Sequence, residues 1–184
     1  MTIEIANKSN INQLLFIANQ TLGNNFITTT HFEDFITQPH KNCYIAVLNN
    51  EILGFITTEL CNATQLQESL LKKHEEPLFT NPTATIGIIQ QVAVHPKHLR
   101  KGIATSLLKH AITQLKLNSD SLFCISWKKG AITPMSNLLL KNNFTLYQTI
   151  PNYWYTDSLT QLYNCAICGN PPCKCSAEFY VYLT

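Results

Sequence analysis

The apolar positions along the chain follow two periods, and the changes of period mark out its elements. Thr2–Ala6 has the length of a short strand. Asn7–Leu22 carries Ile11, Leu14, Leu15, Ala18 and Leu22 at helical spacing, with Asn7 or Ser9 as its cap and Gly23 as its stop. Thr30–Thr37 predicts a second short helix, stopped before Pro39. Asn42–Leu48 and Ile52–Leu60 are rich in β-formers and predict a hairpin joined by Asn49-Asn50-Glu51. Leu66, Leu70 and Leu71 predict a helix through Lys73, and Pro77 and Pro82 then break the chain. A mostly apolar run of strand length, Ile86–Val94, follows. From Ile103 the period lengthens: Ile103, Leu107, Leu108, Ala111, Ile112 and Leu115 form one face of an amphipathic helix reaching about Leu117.

Ser121–Trp127 predicts a further strand, followed by a turn at Lys128-Lys129-Gly130. Thr133-Pro134 opens a helix filled by Leu138, Leu139 and Leu140 and ended by Asn142-Asn143. Phe144–Ile150 and Ser176–Leu183 are the last strands. The order predicts a single α/β (α+β) domain over residues 1–184, without internal repeats. Cys61–Thr83 has neither a Gly/Ser-rich stretch nor a charge block, so it is no linker. It is expected to be either a lid over a cleft or inert packing.

The richest local pattern lies where the central run meets the amphipathic helix, at His95-Pro96-Lys97-His98-Leu99-Arg100-Lys101-Gly102-Ile103-Ala104. A strand that turns sharply into a helix aims the helix's free N–H groups, and the positive end of its dipole, into the turn. Phosphate is the usual guest of such a site. Lys97, Arg100 and Lys101 crowd around it, and Gly102 lets backbone approach a ligand. Neither Gly-x-x-x-x-Gly-Lys-Ser/Thr nor Gly-x-Gly-x-x-Gly occurs. By itself the turn reads equally well as a basic solvated loop.

Composition narrows the class. Apolar residues make up 45% and charged residues 13%, which excludes a disordered or highly charged chain. A formal net charge of +2 gives no broad electrostatic footprint for nucleic acid. The start, Met1-Thr2-Ile3-Glu4-Ile5, lacks a basic segment followed by an apolar one, and no 18-residue apolar run occurs. The expectation is a soluble cytoplasmic protein with no membrane partner.

Val-x-Val-His-Pro, a short basic turn and Lys-Gly-Ile-Ala opening an amphipathic helix resemble the acyl-coenzyme A signature of the GNAT N-acetyltransferase superfamily. In that family the main chain of an Arg/Gln-x-x-Gly-x-Gly/Ala turn holds the pyrophosphate of coenzyme A. Here Leu99 occupies the Arg/Gln position and Arg100 follows it. The resemblance assigns the pyrophosphate to Arg100, Lys101, Gly102, Ile103, Ala104 and Thr105, and the pantetheine arm to the main chain of Val92, Ala93 and Val94. It also implies a bulge that splays the fourth strand from the fifth. The helix ending Leu140-Lys141-Asn142-Asn143-Phe144 resembles the family's second signature, with Asn137 and Lys141 in place and Asn143 where Gly is usual. Asn137 is thereby a further coenzyme contact. A homodimer is a common arrangement in such proteins.

Acetyl transfer to an amine needs a proton acceptor, alignment and a donor for the carbonyl oxygen. Several members carry a Glu six residues before the position of Val94, and Ile88 stands there. His95 and Glu59 are the alternative bases. The family's usual general acid is a Tyr at the position of Leu139, with Tyr147, Tyr153 and Tyr155 nearby in the chain. Tyr147 is the candidate acid.

Seven cysteines divide unevenly. Cys43, Cys61 and Cys124 stand singly in apolar surroundings and read as small hydrophobes. Cys165-Ala-Ile-Cys168-Gly169-Asn-Pro-Pro-Cys173-Lys-Cys175, within an insertion at about 160–176, has the spacing of a metal knuckle and predicts a structural tetrathiolate Zn2+ site. Disulfides and a redox Cys-x-x-Cys are its rivals. The ion would staple Pro151–Cys175, whose Tyr153-Trp154-Tyr155 would line the substrate cleft.

Three functions follow. The first is an acetyl-CoA-dependent N-acetyltransferase acting on a primary amine of a small molecule, peptide or protein. The second is a non-catalytic acyl-CoA-binding sensor, and the third a zinc-ribbon interaction protein.

Overall fold

A computed structural model describes residues 1–70, 78–130 and 134–183. The β-branched and aromatic runs pair into one sheet. Its strands are β1 (Thr2–Ile5), β2 (Lys41–Leu48), β3 (Glu51–Asn62), β4 (Thr85–Val94), β5 (Ser121–Lys128), β6 (Thr145–Ile150) and β7 (Ser176–Leu183). They lie in the order β1-β2-β3-β4-β5-β7-β6. All neighbours are antiparallel except β4 and β5, which are joined through a helix and run parallel.

Helices α1 (Ile11–Thr21), α2 (Thr29–Thr37), α3 (Ala63–Leu70), α4 (Ile103–Leu115), α5 (Pro134–Leu140) and α6 (Tyr155–Gln161) cover the sheet. Strand alternation sorts the core between its faces. On β2 and β3, Ala46 and Ile56 meet Leu107, Leu108 and Ala111 of α4. Their neighbours Ile45 and Phe55 meet Leu14 and Ile17 of α1 and Phe32 and Phe35 of α2. Further along that second face, Leu66 and Leu70 of α3 cover Ile86, Ile88, Phe123 and Phe179. The α1/α2 layer and α3 thus stand apart, with sheet between them.

The local signals act as their chemistry dictates. Asn7 caps a 3-10 turn, Lys8–Asn10, that leads into α1, and Gly23 takes φ +117° beyond its end. Asn49 and Asn50 adopt φ of 51° and 63°, giving a two-residue hairpin turn in which Glu51 already belongs to β3. The expected helix extension through Leu71 to Lys73, the Pro77 break and the Thr133 cap lie outside the described residues. Pro151–Cys175 contains a helix, α6, that the apolar pattern does not announce, since Ser158 is its one buried residue.

Candidate active site

The site is made by a sheet that comes apart. The β4–β5 ladder runs only from Ile86↔Ser121 to Ile89↔Cys124. Beyond it β5 continues alongside β7, and β4 alongside β3. The register skips Gln90: Thr58 faces Ile89 and Thr57 faces Gln91. That extra residue is a β-bulge, which bends a strand and increases its twist. From Gln90 to Val94 the β4 main chain therefore presents one edge toward β5 without a ladder partner, and backbone donors and acceptors on such an edge seek a guest.

At the top of this gap the chain leaves β4 through His95, makes a 3-10 turn at Pro96–His98 and enters α4. Arg100 and Gly102 both have positive φ, 61° and 78°, so the turn curls tightly before the helix. Gly102 is the N-cap, and no side chain caps the helix. A Cβ built on Gly102 would meet nothing within 4 Å. The space above the turn is thus open, with the first-turn N–H groups of Ile103, Ala104 and Thr105 at the helix's positive end. Lys97, Arg100 and Lys101 are exposed around it, and Lys101 Nζ lies 3.3 Å from His98 Nδ1. Leu99, at the family's Arg/Gln position, is exposed. Asn137 lies exposed on α5.

On the face carrying α3, a cavity of about 770 Å³ opens beside the splay. Ile88, Ile89, Phe123 and Ile125 form its apolar floor, α3 contributes Gln65, Leu66, Ser69 and Leu70, and Tyr153, Trp154 and Asp157 come from the β6–β7 connection. Glu59, Gln90 and His40 bring polar groups.

Glu59 sits directly across the β3–β4 ladder from Ile88. Its Oε2 accepts from Gln90 Nε2 at 3.0 Å, and its Oε1 lies 3.9 Å from Lys41 Nζ and from His40 Nε2. The other two proposed catalytic residues are not in this lining. His95 Nδ1 accepts from the Lys97 N–H at 3.2 Å, and its ring lies 5.7 Å from that of Phe16. Tyr147 lies on the edge strand β6, 45% exposed.

A residue not anticipated from the sequence stands behind the bulge. His31 Nε2 lies 3.1 Å from Gln91 Oε1, which also accepts from Thr57 Oγ1. Burial lowers the pKa of His31, outweighing the opposing hydrogen bond to Gln91, so the imidazole is neutral near neutral pH. No sequence spacing links residues 31, 57 and 91; the β3–β4 pairing and the packing of α2 on the sheet bring them together.

The seven cysteines are all unpaired. Burial pushes the thiols of Cys43 and Cys124 up to about 12 and that of Cys61 up to about 11, so these three stay protonated and inert. Cys165, Cys168, Cys173 and Cys175 converge, with all four sulfurs within 4.8 Å of one another. Cys165 and Gly169 exchange two backbone hydrogen bonds of 2.9 Å, closing the knuckle. N–H groups of Ile167 and Cys168 point at Cys165 Sγ, and that of Lys174 at Cys168 Sγ, each at 3.4 Å. Burial opposes the Cys168 thiolate, but the Lys174 N–H and the neighbouring thiols outweigh it and lower the Cys168 pKa, whereas burial raises those of Cys173 and Cys175.

Comparison with known proteins agrees with this fold. The chain is similar to Arabidopsis thaliana NAA60 in complex with acetyl-CoA, at 14% identity and TM-score 0.72, over 99% of this chain and 97% of that one. It is also similar to the ribosomal-protein-S18-alanine N-acetyltransferase of Escherichia coli, at 15% identity and TM-score 0.67, over 99% and 92%. An N-acetyltransferase of Staphylococcus aureus matches at 18% identity and TM-score 0.67, over 99% and 97%. No curated protein sequence matches. Such low identities speak to fold, while a sequence-family model speaks to descent. The model of the acetyltransferase (GNAT) family matches residues 11–131, two-thirds of the chain, and this protein is therefore a member of that acyltransferase family.

Proposed function

We propose that the protein transfers the acetyl group of acetyl-CoA to a primary amine of a small molecule, peptide or protein by direct attack on the thioester. The observation that carries this reading is the unpaired β4 edge at Gln90–Val94, which leads from the open turn at Gly102 to the cavity holding Glu59. The N–H groups of residues 102–105 would bind the pyrophosphate and the β4 edge the pantetheine arm. That arrangement sets the thioester beside Val92–Val94, with main-chain N–H groups ready for the oxyanion.

Glu59 is the base in this reading. Its carboxylate takes a proton from the ammonium form of the acceptor, and the free amine attacks the acetyl carbon. The tetrahedral intermediate then expels coenzyme A as a thiolate, which takes up the proton that the amine nitrogen loses as the amide forms. We assign no step to His95 or Tyr147. The four-cysteine cluster holds one structural Zn2+, a closed shell with no open position for catalysis. Unpaired cysteines throughout fit a reducing, cytoplasmic setting.

Calorimetry with acetyl-CoA, followed by thiol-release assays across a panel of primary amines, tests the proposal. Saturable binding with amine-dependent coenzyme A release is expected. Failure to bind acetyl-CoA would overturn the coenzyme site, whereas binding without release for any amine would leave the sensor reading in its place.

A further inference from the structure

The cysteine cluster is bonded to the same short segment that walls the acceptor cavity. The Tyr153 N–H donates to the Cys175 carbonyl at 3.2 Å. The Cys173 N–H donates to Ser158 Oγ at 2.8 Å, and Ser158, on α6, is fully buried. Trp154 lines the cavity and also packs against the cysteine cluster. Asp157, one residue before Ser158, faces the cavity. The segment 153–158 therefore lies between the cavity and the cluster, and its own helix is too short to hold it, since seven residues are marginal without tertiary support.

The cluster is in turn docked at two further places. The Asn164 N–H donates to the Asn24 carbonyl at 3.0 Å, across a contact so close that a Cβ on Gly23 would fall 1.8 Å from the Asn164 oxygen. Lys129 Nζ donates to the Ile167 carbonyl at 3.1 Å. Phe26, Trp127, Trp154 and Tyr163 pack beside Cys165, Cys173 and Cys175, but none of them joins one sulfur to another, and a shared ion would. Zn2+ in a tetrahedral thiolate shell, with Zn–S near 2.3 Å, separates its sulfurs by about 3.8 Å. The Cys165–Cys175 and Cys168–Cys175 separations of 3.8 and 3.4 Å meet that need.

Resting on the acetyltransferase reading for the identity of the cavity, we propose that a thiophilic divalent ion of the Zn2+ class is the keystone of the acceptor wall. Binding displaces the remaining thiol protons, since the ligands must be thiolates. Its occupancy fixes Tyr153, Trp154 and Asp157 against the cavity, and so sets acceptor recognition without touching the acetyl-CoA site, which is built from β4 and α4.

The chain has two tryptophans, so Trp127→Phe isolates Trp154 as a fluorescent probe. The full-length Trp127→Phe protein is prepared with Zn2+, with Co2+ and stripped of metal. One ion per chain is expected. The Co2+ form should show the visible d–d and near-ultraviolet thiolate bands of a tetrahedral site, and should quench Trp154. Metal removal should shift Trp154 emission to the red and raise the acceptor KM at least about tenfold, with acetyl-CoA Kd changed by no more than about twofold. Absent thiolate–Co2+ bands would refute the ion. Identical Trp154 emission with and without metal, or loss of acetyl-CoA binding on metal removal alone, would refute the keystone role. If acetyl-CoA binds neither form, the acetyltransferase reading fails instead, and the Co2+ bands and Trp154 emission still decide the metal and its grip on the wall.

Discussion

Glu59 and Ile88 are 29 positions apart in the chain and face each other across one rung of the sheet. Where several family members place a carboxylate on β4, this chain puts an isoleucine there and a glutamate on the adjoining strand. In the proposed reaction the base stands one strand over, and Glu59 still lines the cavity beside the β4 bulge. Glu59→Gln keeps the shape and the bond to Gln90 but removes proton acceptance. It should lower kcat by about 10²–10⁴-fold, the usual worth of a general base, with acetyl-CoA affinity unchanged by calorimetry. An equal loss in both would mean that Glu59 organises the site without accepting the proton. The sequence offered Glu59 beside His95 as an alternative base and gave no sign that it faces Ile88 across the sheet. His31 was invisible for the same reason, because its partner Gln91 is 60 positions away.

The decisive element is the turn into α4. Its helix reads directly from the sequence because Ile103, Leu107, Leu108, Ala111 and Leu115 are buried at the spacing that predicts them. The turn reads from Gly102, whose φ of 78° costs an L-residue roughly 1–2 kcal/mol. Gly102→Ala carries that strain and also places a methyl group in the open space above the helix N-terminus. We expect a small loss of thermal stability together with acetyl-CoA binding weakened by about tenfold or more, measured by calorimetry. Lost stability with unchanged affinity would argue that coenzyme A does not approach this turn. Helix α6, in contrast, has Ser158 as its one buried residue and no apolar stripe, so no periodicity could announce it. The Cys173 N–H, donating to Ser158 Oγ, ties it to the cysteine loop, while the Ser158 N–H donates to the Trp154 carbonyl within the first turn of the helix.

Across the whole molecule, the half of the sheet beyond the splay is fastened by a buried carboxylate. Glu178 of β7 accepts from Lys128 Nζ of β5 at 2.7 Å, from Ser136 Oγ of α5 at 2.6 Å and from Tyr180 OH at 2.8 Å. Burial acts to raise its pKa, but the bonds from Lys128, Ser136 and Tyr180 outweigh it and hold the carboxyl below its ordinary 4.5. The unfolded chain therefore binds the proton first. This stabilisation is complete above about pH 4.5 and is lost as pH falls through the lower, folded value. Lys128→Met strands the charge and should cost about 3–5 kcal/mol near neutral pH in denaturant titrations. Because a protonated Glu178 needs no cation, the deficit should narrow as pH falls toward 4.5. A deficit that stays constant with pH would mean that Lys128 contributes by packing alone. Among the described residues, no helix is long and apolar enough to cross a membrane.

Local chemistry determined most of the elements, because each strand, helix and cap is set by the period of its apolar residues and by residues such as Asn7, Asn49, Asn50 and Gly102 that fix the backbone within a few positions. The same locality made the turn proposed for acetyl-CoA and the four-cysteine knuckle legible, since both are contiguous. The cavity proposed for the acceptor was not. Where β4 parts from β5, which carboxylate faces the gap and which wall the cysteines hold all depend on pairings between distant segments, and register, bulge and burial arise only when the whole sheet closes.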